Sequence, residues 1–347
     1  MSTQPAYAPK TKEQGKLKVG FIGTGNISWT HLRILEKRKD IEIVSLCDIV
    51  EEHAKEKQAA FGGEIFLDHE TMLKKGPKLD AVWVCTPSTA REEILVNCTK
   101  AGLPVFCEKP AERKVAVAKR IAQKLEKIPN ARVQIGYVFR SMALTQRLKE
   151  MMADDKVRTF MSSYACPASS QNCLPAWFYD NDLSGGALVD QATHNFDWLR
   201  YLFGEVTEVF GFATNPFRKK VVKKSGNYTI DETIAMTLKF ENGITGTHSH
   251  SWLADTWRNE VVLFGEKRKY HVNLGACTIK VESAREETLF TQRPGTMYVF
   301  ENEKFINAVK SGDWSGNPST YRDAAKSLAL TQACIDSLNK GPQTVKF

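Results

Sequence analysis

The sequence has little of the features that mark membrane, secreted or repeat proteins. No apolar run approaches the roughly 18 residues that a membrane-spanning helix requires, and residues 1–16 are polar without the apolar core of a secretory signal. The eight cysteines are scattered, and none forms a C-x-x-C pair. We therefore expect a cytoplasmic protein without membrane contact or disulfide framework, in which residues 1–16 are a disordered lead-in.

Internal repeats, nucleic-acid motifs and metal-ligand clusters are also missing. The formal net charge is +8, and the densest basic stretch is residues 218–224. No nucleic-acid motif accompanies this stretch, so we interpret it as a solvated loop and expect no nucleic-acid partner. His248 and His250 stand two residues apart without an acidic or cysteine partner at a suggestive spacing. We interpret them as sheet-face or interface residues, and no metal site is predicted.

The chain length of 347 residues favours about two domains. In residues 17–140, short uninterrupted apolar runs alternate with helical patterns, as expected of strands buried on both faces and joined by helices. This alternation predicts an α/β Rossmann domain, a doubly wound parallel sheet covered by helices. The predicted strands are 17–22, 41–47, 81–85, 105–107 and 132–135, and the predicted helices are 27–37, 51–61, 92–101 and 113–126.

The pattern changes in residues 141–347. Successive strand patterns without crossover helices predict an α+β domain with a large, open, mostly antiparallel sheet. An open sheet face must be covered, so we expect a homodimer or homotetramer. The predicted strands are 159–164, 206–213, 232–240, 244–251, 259–264 and 269–272, and the predicted helices are 142–151, 189–202, 303–309 and 321–338.

The first predicted strand runs into a glycine turn that opens a helix. Gly23 permits the turn and Gly25 allows close approach of a pyrophosphate, while the segment Asn26–Ile27 begins the helix. The third position of the glycine pattern is the small residue Ser28. Asp48 follows the second strand at the spacing of the acidic residue that binds the adenosine ribose, which favours NAD over NADP. The alternative is an ordinary strand–helix turn with a surface aspartate.

Four motifs, in order along the chain, carry a resemblance to a known family. They are the glycine turn, Thr86-Pro87 with Glu108-Lys109-Pro110, the segment 136–140 that ends in Arg140, and the segment 185–197 that contains Asp190 and His194. With these motifs the chain resembles the Gfo/Idh/MocA family, named for glucose–fructose oxidoreductase, inositol dehydrogenase and a rhizopine-catabolism protein. The resemblance implies an oxidoreductase that uses a nicotinamide cofactor.

The resemblance also implies roles for single residues. Lys109 matches the family's active-site lysine, with a cis bond at Pro110, and Asp190 and His194 match the acid and the histidine of the second domain. Thr86, Pro87, Glu108 and Lys109 are candidate cofactor contacts. The residue types agree, because Asp190 and His194 at i,i+4 share one face of a helix, and histidine suits proton transfer near neutral pH. Either His194 or Lys109 is the candidate proton acceptor.

Three further residues are weaker candidates for substrate contact. Arg140 either binds substrate or forms a structural ion pair, and Trp177 either stacks on a sugar or packs in the core. Asn195, next to His194, is the third candidate. Arg91 is a departure, because similar proteins often have histidine in Thr-Pro-x-x-x-His.

The predicted function is NAD-dependent hydride transfer to or from a hydroxyl-bearing carbon of a sugar, sugar derivative or cyclic polyol. The alternatives are an oxidoreductase that retains its cofactor, an NAD-dependent glycoside hydrolase, and a non-catalytic NAD-binding regulator. A regulator is disfavoured because the chain keeps Lys109, Asp190 and His194 together.

Overall fold

A computed structural model describes residues 15–168, 176–215, 228–284 and 287–347. The chain divides into two compact units, Met1–Ser141 with Thr296–Ala325, and Met142–Gly295 with Lys326–Phe347. The break after Ser141 lies one residue from the predicted boundary. The prediction was wrong in assigning Thr296–Ala325 to the second domain, because this segment packs in the core of the first unit.

The strands and helices of the described residues are numbered in chain order. The strands are β1 Leu17–Ile22, β2 Ile41–Cys47, β3 Glu64–Phe66, β4 Ala81–Val84, β5 Val105–Glu108, β6 Val133–Gly136, β7 Val157–Ala165, β8 Val206–Thr214, β9 Thr233–Phe240, β10 Thr245–Ser251, β11 Arg258–Gly265, β12 Lys269–Asn273, β13 Thr278–Glu282, β14 Glu287–Thr291 and β15 Gln343–Thr344. The helices are α1 Asn26–Glu36, α2 Glu51–Phe61, α3 His69–Lys75, α4 Arg91–Lys100, α5 Val115–Glu126, α6 Ala143–Met151, α7 Asn181–Ser184, α8 Thr193–Phe203, α9 Met297–Ser311 and α10 Tyr321–Lys340.

The first unit contains the predicted parallel sheet. Its strand order is β3-β2-β1-β4-β5-β6, and all five pairings are parallel. The five predicted strands are confirmed within one residue at each end, whereas β3 and α3 were not predicted. Every residue of β4, β5 and β6 is buried, as expected of strands covered on both faces. The order reverses between β1 and β4, which is where such folds bind ligands at the carboxyl edge.

One face of this sheet explains why α9 belongs to the first unit. Phe305 of α9 packs against Trp83 of β4 and Phe106 of β5, with ring centroids 4.9 and 5.8 Å apart. These residues belong to a buried cluster with Phe21 and Leu32. A helix late in the chain therefore completes the core of the first unit, which local sequence patterns do not reveal.

The second unit contains the predicted large open sheet. Its strand order among the described residues is β14-β13-β12-β11-β7-β10-β9-β8-β15, and β10 pairs with β7 in parallel while the other pairings are antiparallel. Burial alternates along β9 and β10, so one face is packed and the other is exposed. The predicted strands are confirmed, but β13, β14 and β15 were not predicted.

The expectations about membrane helices and cysteines can be compared with the described residues. Within the described ranges, no helix is both long enough and apolar enough to cross a membrane. The seven described cysteines are all free and buried. Burial raises the pKa of the Cys47 thiol to about 12 and that of Cys107 to about 11. These thiols therefore stay protonated and pack as small apolar groups. The basic stretch 218–224 lies outside the described residues.

Candidate functional site

The glycine turn after β1 is built for close approach of the backbone. Gly23 has φ +85°, and a Cβ atom there would lie 2.6 Å from the backbone nitrogen of Thr86, so a side chain is excluded. Gly25 precedes the first residue of α1, and nothing lies within 4 Å of the position its Cβ would take. No side chain caps the N-terminus of α1. The first N–H groups of this helix are thus available to an anionic ligand.

Asp48 is held firmly at the end of β2. Its Oδ2 accepts hydrogen bonds from the backbone N–H and the hydroxyl of Thr24, at 2.7 and 3.0 Å, and its Oδ1 accepts one from Val50 at 2.9 Å. A carboxylate has about four acceptor positions, so one remains for a hydroxyl donor. The following residue, Ile49, is 89% exposed. The carboxylate therefore ties the glycine turn to β2 and keeps capacity for a ligand hydroxyl.

Thr86 supplies an independent sign of a ligand beside the glycine turn. Its hydroxyl oxygen is buried and has no hydrogen-bond partner among the described residues. Buried hydroxyls are rarely left without a partner. The open position at Gly25, the remaining acceptor of Asp48 and the hydroxyl of Thr86 together fit a dinucleotide with its phosphates at α1. Asn26 and Pro87 of the same predicted site are exposed, and Ile27 is half-buried.

Lys109 follows β5 at the same carboxyl edge. It is half-buried, and its peptide bond to Pro110 is cis, which confirms the prediction from the family resemblance. Its backbone N–H donates to Oε2 of Glu108 at 3.1 Å. Asp48, Gly23, Thr86 and Lys109 thus follow the ends of four adjacent strands, β2, β1, β4 and β5. Parallel topology brings these residues to one edge although they are separated in sequence.

Arg91 holds the backbone on both sides of Lys109. The side chain is 3% exposed, and Nη1 donates to the carbonyl oxygens of Glu108 and Pro110. Nε and Nη2 donate to the carbonyl oxygen of Thr86 at 3.2 and 2.6 Å. The sequence marked Arg91 as a departure from the family pattern but gave it no role. The structure makes it the group that joins the ends of β4 and β5.

Glu108 is a candidate cofactor contact that the structure places in the core. The residue is 5% exposed, and its Oε1 lies 2.8 Å from Nε2 of His31, a fully buried residue of α1. Glu301 of α9 lies close to both side chains. The carboxylate thus accepts the backbone N–H of Lys109 from within the core and is not exposed at the sheet edge. His31 and Glu301 were not predicted, because nothing local distinguishes them from ordinary helix residues.

Asp190 and His194 lie on the single unburied stripe of their helix. Leu188–Ala192 is a π-helical turn that leads into α8, so the predicted uniform α-helix was wrong here. Between Ser184 and Arg200, a segment described throughout, every residue except Asp190 and His194 is buried. π-turns inside helices are frequent at functional sites. Asp190 and His194 are thus both half-buried on a segment whose other residues are packed.

The weaker candidates separate into two groups. Arg140 is 3% exposed and donates to the carbonyl oxygen of Pro318 and to Asp323, which supports the structural ion pair that the sequence left open. Asn195 is fully buried, and its amide nitrogen donates to Ser162 and Asn259. Substrate contact is therefore not supported for these two. The side chain of Trp177 lies outside the described residues.

His248 and His250 lie on the packed face of the large sheet. His248 is within 2.9 Å of the Ser162 hydroxyl, and its ring packs 5.1 Å from that of Phe196 in α8. Burial lowers the pKa of His248 to about 3, and burial together with the charge of His248 holds the pKa of His250 well below its ordinary value. The sheet-face interpretation thus holds, with His248 against Phe196 of α8 and the His250 ring 5.2 Å from that of Tyr164.

Comparison with known proteins finds a family match in each of the two units. The family description "Oxidoreductase family, NAD-binding Rossmann fold" matches residues 17–137, and "GFO/IDH/MocA C-terminal domain" matches residues 145–271. The chain is 27% identical over 306 residues to myo-inositol 2-dehydrogenase of Thermotoga maritima, covering 86% of this chain and 89% of the relative.

Solved structures agree on the fold. Levoglucosan dehydrogenase in complex with NADH and levoglucosan has a TM-score of 0.83 at 20% identity, over 95% of this chain and 99% of that one. Myo-inositol 2-dehydrogenase from Lactobacillus plantarum has a TM-score of 0.78 at 21% identity, over 95% and 100%. Since both family regions match in order and together cover well over half of its length, the chain belongs to the Gfo/Idh/MocA family of NAD-binding oxidoreductases.

Proposed function

We propose that this protein is an NAD-dependent dehydrogenase that transfers a hydride between the nicotinamide and a hydroxyl-bearing carbon of a sugar, sugar derivative or cyclic polyol. The observation that carries the proposal is the placement of Asp48, Gly23, Thr86 and Lys109 at the ends of four adjacent parallel strands. The relatives named for inositol and levoglucosan dehydrogenation support the substrate class.

The proposal assigns cofactor binding to the first unit. The N-terminus of α1 holds the pyrophosphate, and the remaining acceptor of Asp48 binds a ribose hydroxyl. A 2′-phosphate would meet the negative charge of Asp48, so NAD is preferred to NADP. When bound, the nicotinamide accepts or donates the hydride.

The proposal assigns proton handling to Lys109, Asp190 and His194. The Lys109 ammonium stabilises the negative charge that develops on the substrate oxygen as the C–H bond breaks. His194 accepts the hydroxyl proton, and Asp190 orients the imidazole from the same helix face. If a His194→Asn variant turns over as fast as wild type, Lys109 is the proton acceptor instead of His194.

The test combines nucleotide binding with turnover. Wild-type protein is titrated with NAD and NADP, and reduced cofactor is followed by absorbance against sugars, inositols and sugar acids. Lys109→Ala should bind NAD normally and lose turnover by at least about a hundredfold, the range of one transition-state electrostatic contact. Lys114→Ala, an exposed lysine at the start of α5, is the matched control. Near-normal turnover of Lys109→Ala would refute the assignment.

The same assay separates the alternatives. NAD that survives purification, with no turnover of free cofactor, would favour an oxidoreductase or glycoside hydrolase that retains it. Binding without turnover on any substrate would favour a regulator. Failure to bind either nucleotide would remove the basis of the proposal.

We also propose a homodimer or homotetramer formed through the open face of the large sheet. That face exposes Met161 and Phe212, which are 58% and 68% accessible. Large exposed side chains on an uncovered sheet are typical of association surfaces. The free thiols of the described cysteines support the cytoplasm as the compartment.

A further inference from the structure

A carboxyl group without a hydrogen-bond partner lies in the core of the first unit. Glu301 of α9 is 1% exposed, and neither of its carboxyl oxygens has a partner among the described residues. Side-chain atoms of Glu301, Glu108 and His31 lie within 4.8 Å of one another. A Cβ on Gly136 would lie 3.4 Å from Oε1 of Glu301 and 3.5 Å from Oε1 of Glu108. The bare backbone of β6 therefore lets the two carboxyl groups approach the same place.

Asn302 determines how His31 takes part. The amide oxygen of Asn302 accepts from Nε1 of Trp83 at 2.9 Å, and its nitrogen donates to the carbonyl oxygen of Tyr298 at 2.7 Å. An indole N–H only donates and a carbonyl only accepts, so the orientation of the amide is fixed. The same nitrogen lies 2.9 Å from Nδ1 of His31, closer than the amide oxygen, which lies 3.2 Å from Nδ1. Nδ1 is then an acceptor, and Nε2–H donates to Glu108 at 2.8 Å.

The charge balance of this cluster distinguishes the two carboxyl groups. Burial acts to raise the pKa of Glu108, but the hydrogen bond from His31 and the charges of Lys109 and Arg91 outweigh it and hold that pKa below its ordinary value. Burial and the charge of Glu108 raise the pKa of Glu301 well above its ordinary value. Two buried carboxylates this close do not both ionise without a cation between them.

We propose that Glu301 is a neutral carboxylic acid that shares its proton with Glu108, and that this pair positions Lys109. A separation below 4.8 Å is spanned by one hydrogen bond after a small rotation, or by one bridging water. The donor keeps the Glu108 carboxylate in place, and Oε2 of that carboxylate accepts the backbone N–H of Lys109. Glu301 is thus a positioning residue, and this consequence rests on the proposed function of Lys109.

A divalent metal is the competing occupant, since one histidine and two carboxylates are a common ligand set. In the arrangement above, Nε2 of His31 carries a hydrogen that it donates to Glu108, so a metal would have to displace that proton and break the hydrogen bond. The neutral acid satisfies the same atoms without an added charge.

The first test measures protonation without substrate or cofactor. Infrared spectra of nucleotide-free wild-type protein at neutral pH should contain the C=O stretching band of a protonated carboxylic acid. The band should be absent from Glu301→Gln and present in Glu303→Gln, a matched control with an exposed side chain two residues along α9. If the wild-type spectrum lacks the band, or if the purified protein contains stoichiometric metal that Glu301→Gln loses, the proposal is wrong.

The second test measures positioning. Glu301→Gln keeps a neutral hydrogen-bond donor, so kcat should stay within about threefold of wild type. Glu301→Leu removes the donor, so kcat should fall about tenfold or more, a loss of about 1.4 kcal/mol per tenfold, with little change in KM. Equal damage from Gln and Leu would overturn the positioning role even if Leu reduces stability. The infrared test needs no turnover. If no substrate is turned over, the proposed function is refuted, but the infrared result still decides whether Glu301 is a neutral acid.

Discussion

Replacement of Arg91 tests whether its hydrogen bonds fix the backbone on both sides of Lys109. The guanidinium donates to the backbone carbonyls of Thr86, Glu108 and Pro110 and is 3% exposed. Lysine at this position keeps the charge but has no planar fork, and a single ammonium on a flexible stem does not reach all three oxygens in the same geometry. Arg91→Lys therefore removes at least one buried hydrogen bond while preserving the electrostatics.

The expected loss follows from the bonds. A hydrogen bond to a charged donor contributes about 1.5–3 kcal/mol, and a buried carbonyl left without a partner costs a similar amount. Losing one or two such bonds, which are not additive within one side chain, should lower the free energy of unfolding by about 2–4 kcal/mol. The loop that carries Lys109 also loosens, and a displacement of about 1 Å at a reacting group costs roughly a hundredfold in rate.

The assay compares stability with turnover in the same samples. Urea denaturation gives the free energy of unfolding, and initial rates give kcat and KM separately. Arg120→Lys is the matched control, because Arg120 of α5 has a 55% exposed side chain and pairs with Glu92, the neighbour of Arg91 in α4. Exposed ion pairs contribute little to stability, so its loss should leave both the free energy of unfolding and kcat nearly unchanged. An Arg91→Lys protein with wild-type kcat would refute the reasoning.

Three further predictions concern the second unit. His248 and His250 are buried with lowered pKa values, so the folded protein resists a protonation that the unfolded chain accepts below pH 6.5. The free energy of unfolding should therefore fall as the pH drops from 6.5, by about 1.4 kcal/mol per pH unit and per histidine. In urea titrations at pH 7 and pH 5, the free energy of unfolding of His250→Leu should fall by roughly 2 kcal/mol less than that of wild type. Asn195→Ala should reduce stability by about 1–3 kcal/mol, since it leaves Ser162 and Asn259 short of partners, and steady-state kinetics should show an unchanged KM; a raised KM with normal stability would restore Asn195 as a substrate contact. Phe212→Asp should shift sedimentation toward the monomer, and an unchanged distribution would place the interface elsewhere.

The sequence was most informative where structure is determined by neighbouring residues. The strand β1, the turn at Gly23 and Gly25, and the start of α1 follow from an apolar run, a glycine pattern and a helical period, all within a few residues. β2 was predicted for the same reason. By contrast β3 has three residues and β15 has two, and such strands exist because a partner strand is already in place.

The parts of the site that were missed depend on distant residues. Arg91 was visible as an unusual residue, but its acceptors are backbone carbonyls that no sequence pattern reveals. Glu301 reads as an ordinary helix position until α9 is seen in the core of the first unit. Asn195 was overestimated because it adjoins His194, although consecutive residues of a helix point in different directions.

Buried polar groups around Lys109 hold the backbone on both sides of this residue. Arg91 fixes the carbonyl oxygens before and after the lysine, and Glu108 fixes its N–H, so residues of the first unit hold the backbone of the loop. A side chain held by several buried hydrogen bonds is sensitive to the loss of any one of them. Changes in the second unit can then alter which hydroxylated substrate is accepted without disturbing the position of the Lys109 backbone. If that is correct, variants of Arg91 and Glu301 should lower kcat by similar factors for every substrate that the enzyme uses. A change in the ranking of substrates on replacement of Arg91 or Glu301 would contradict this reasoning.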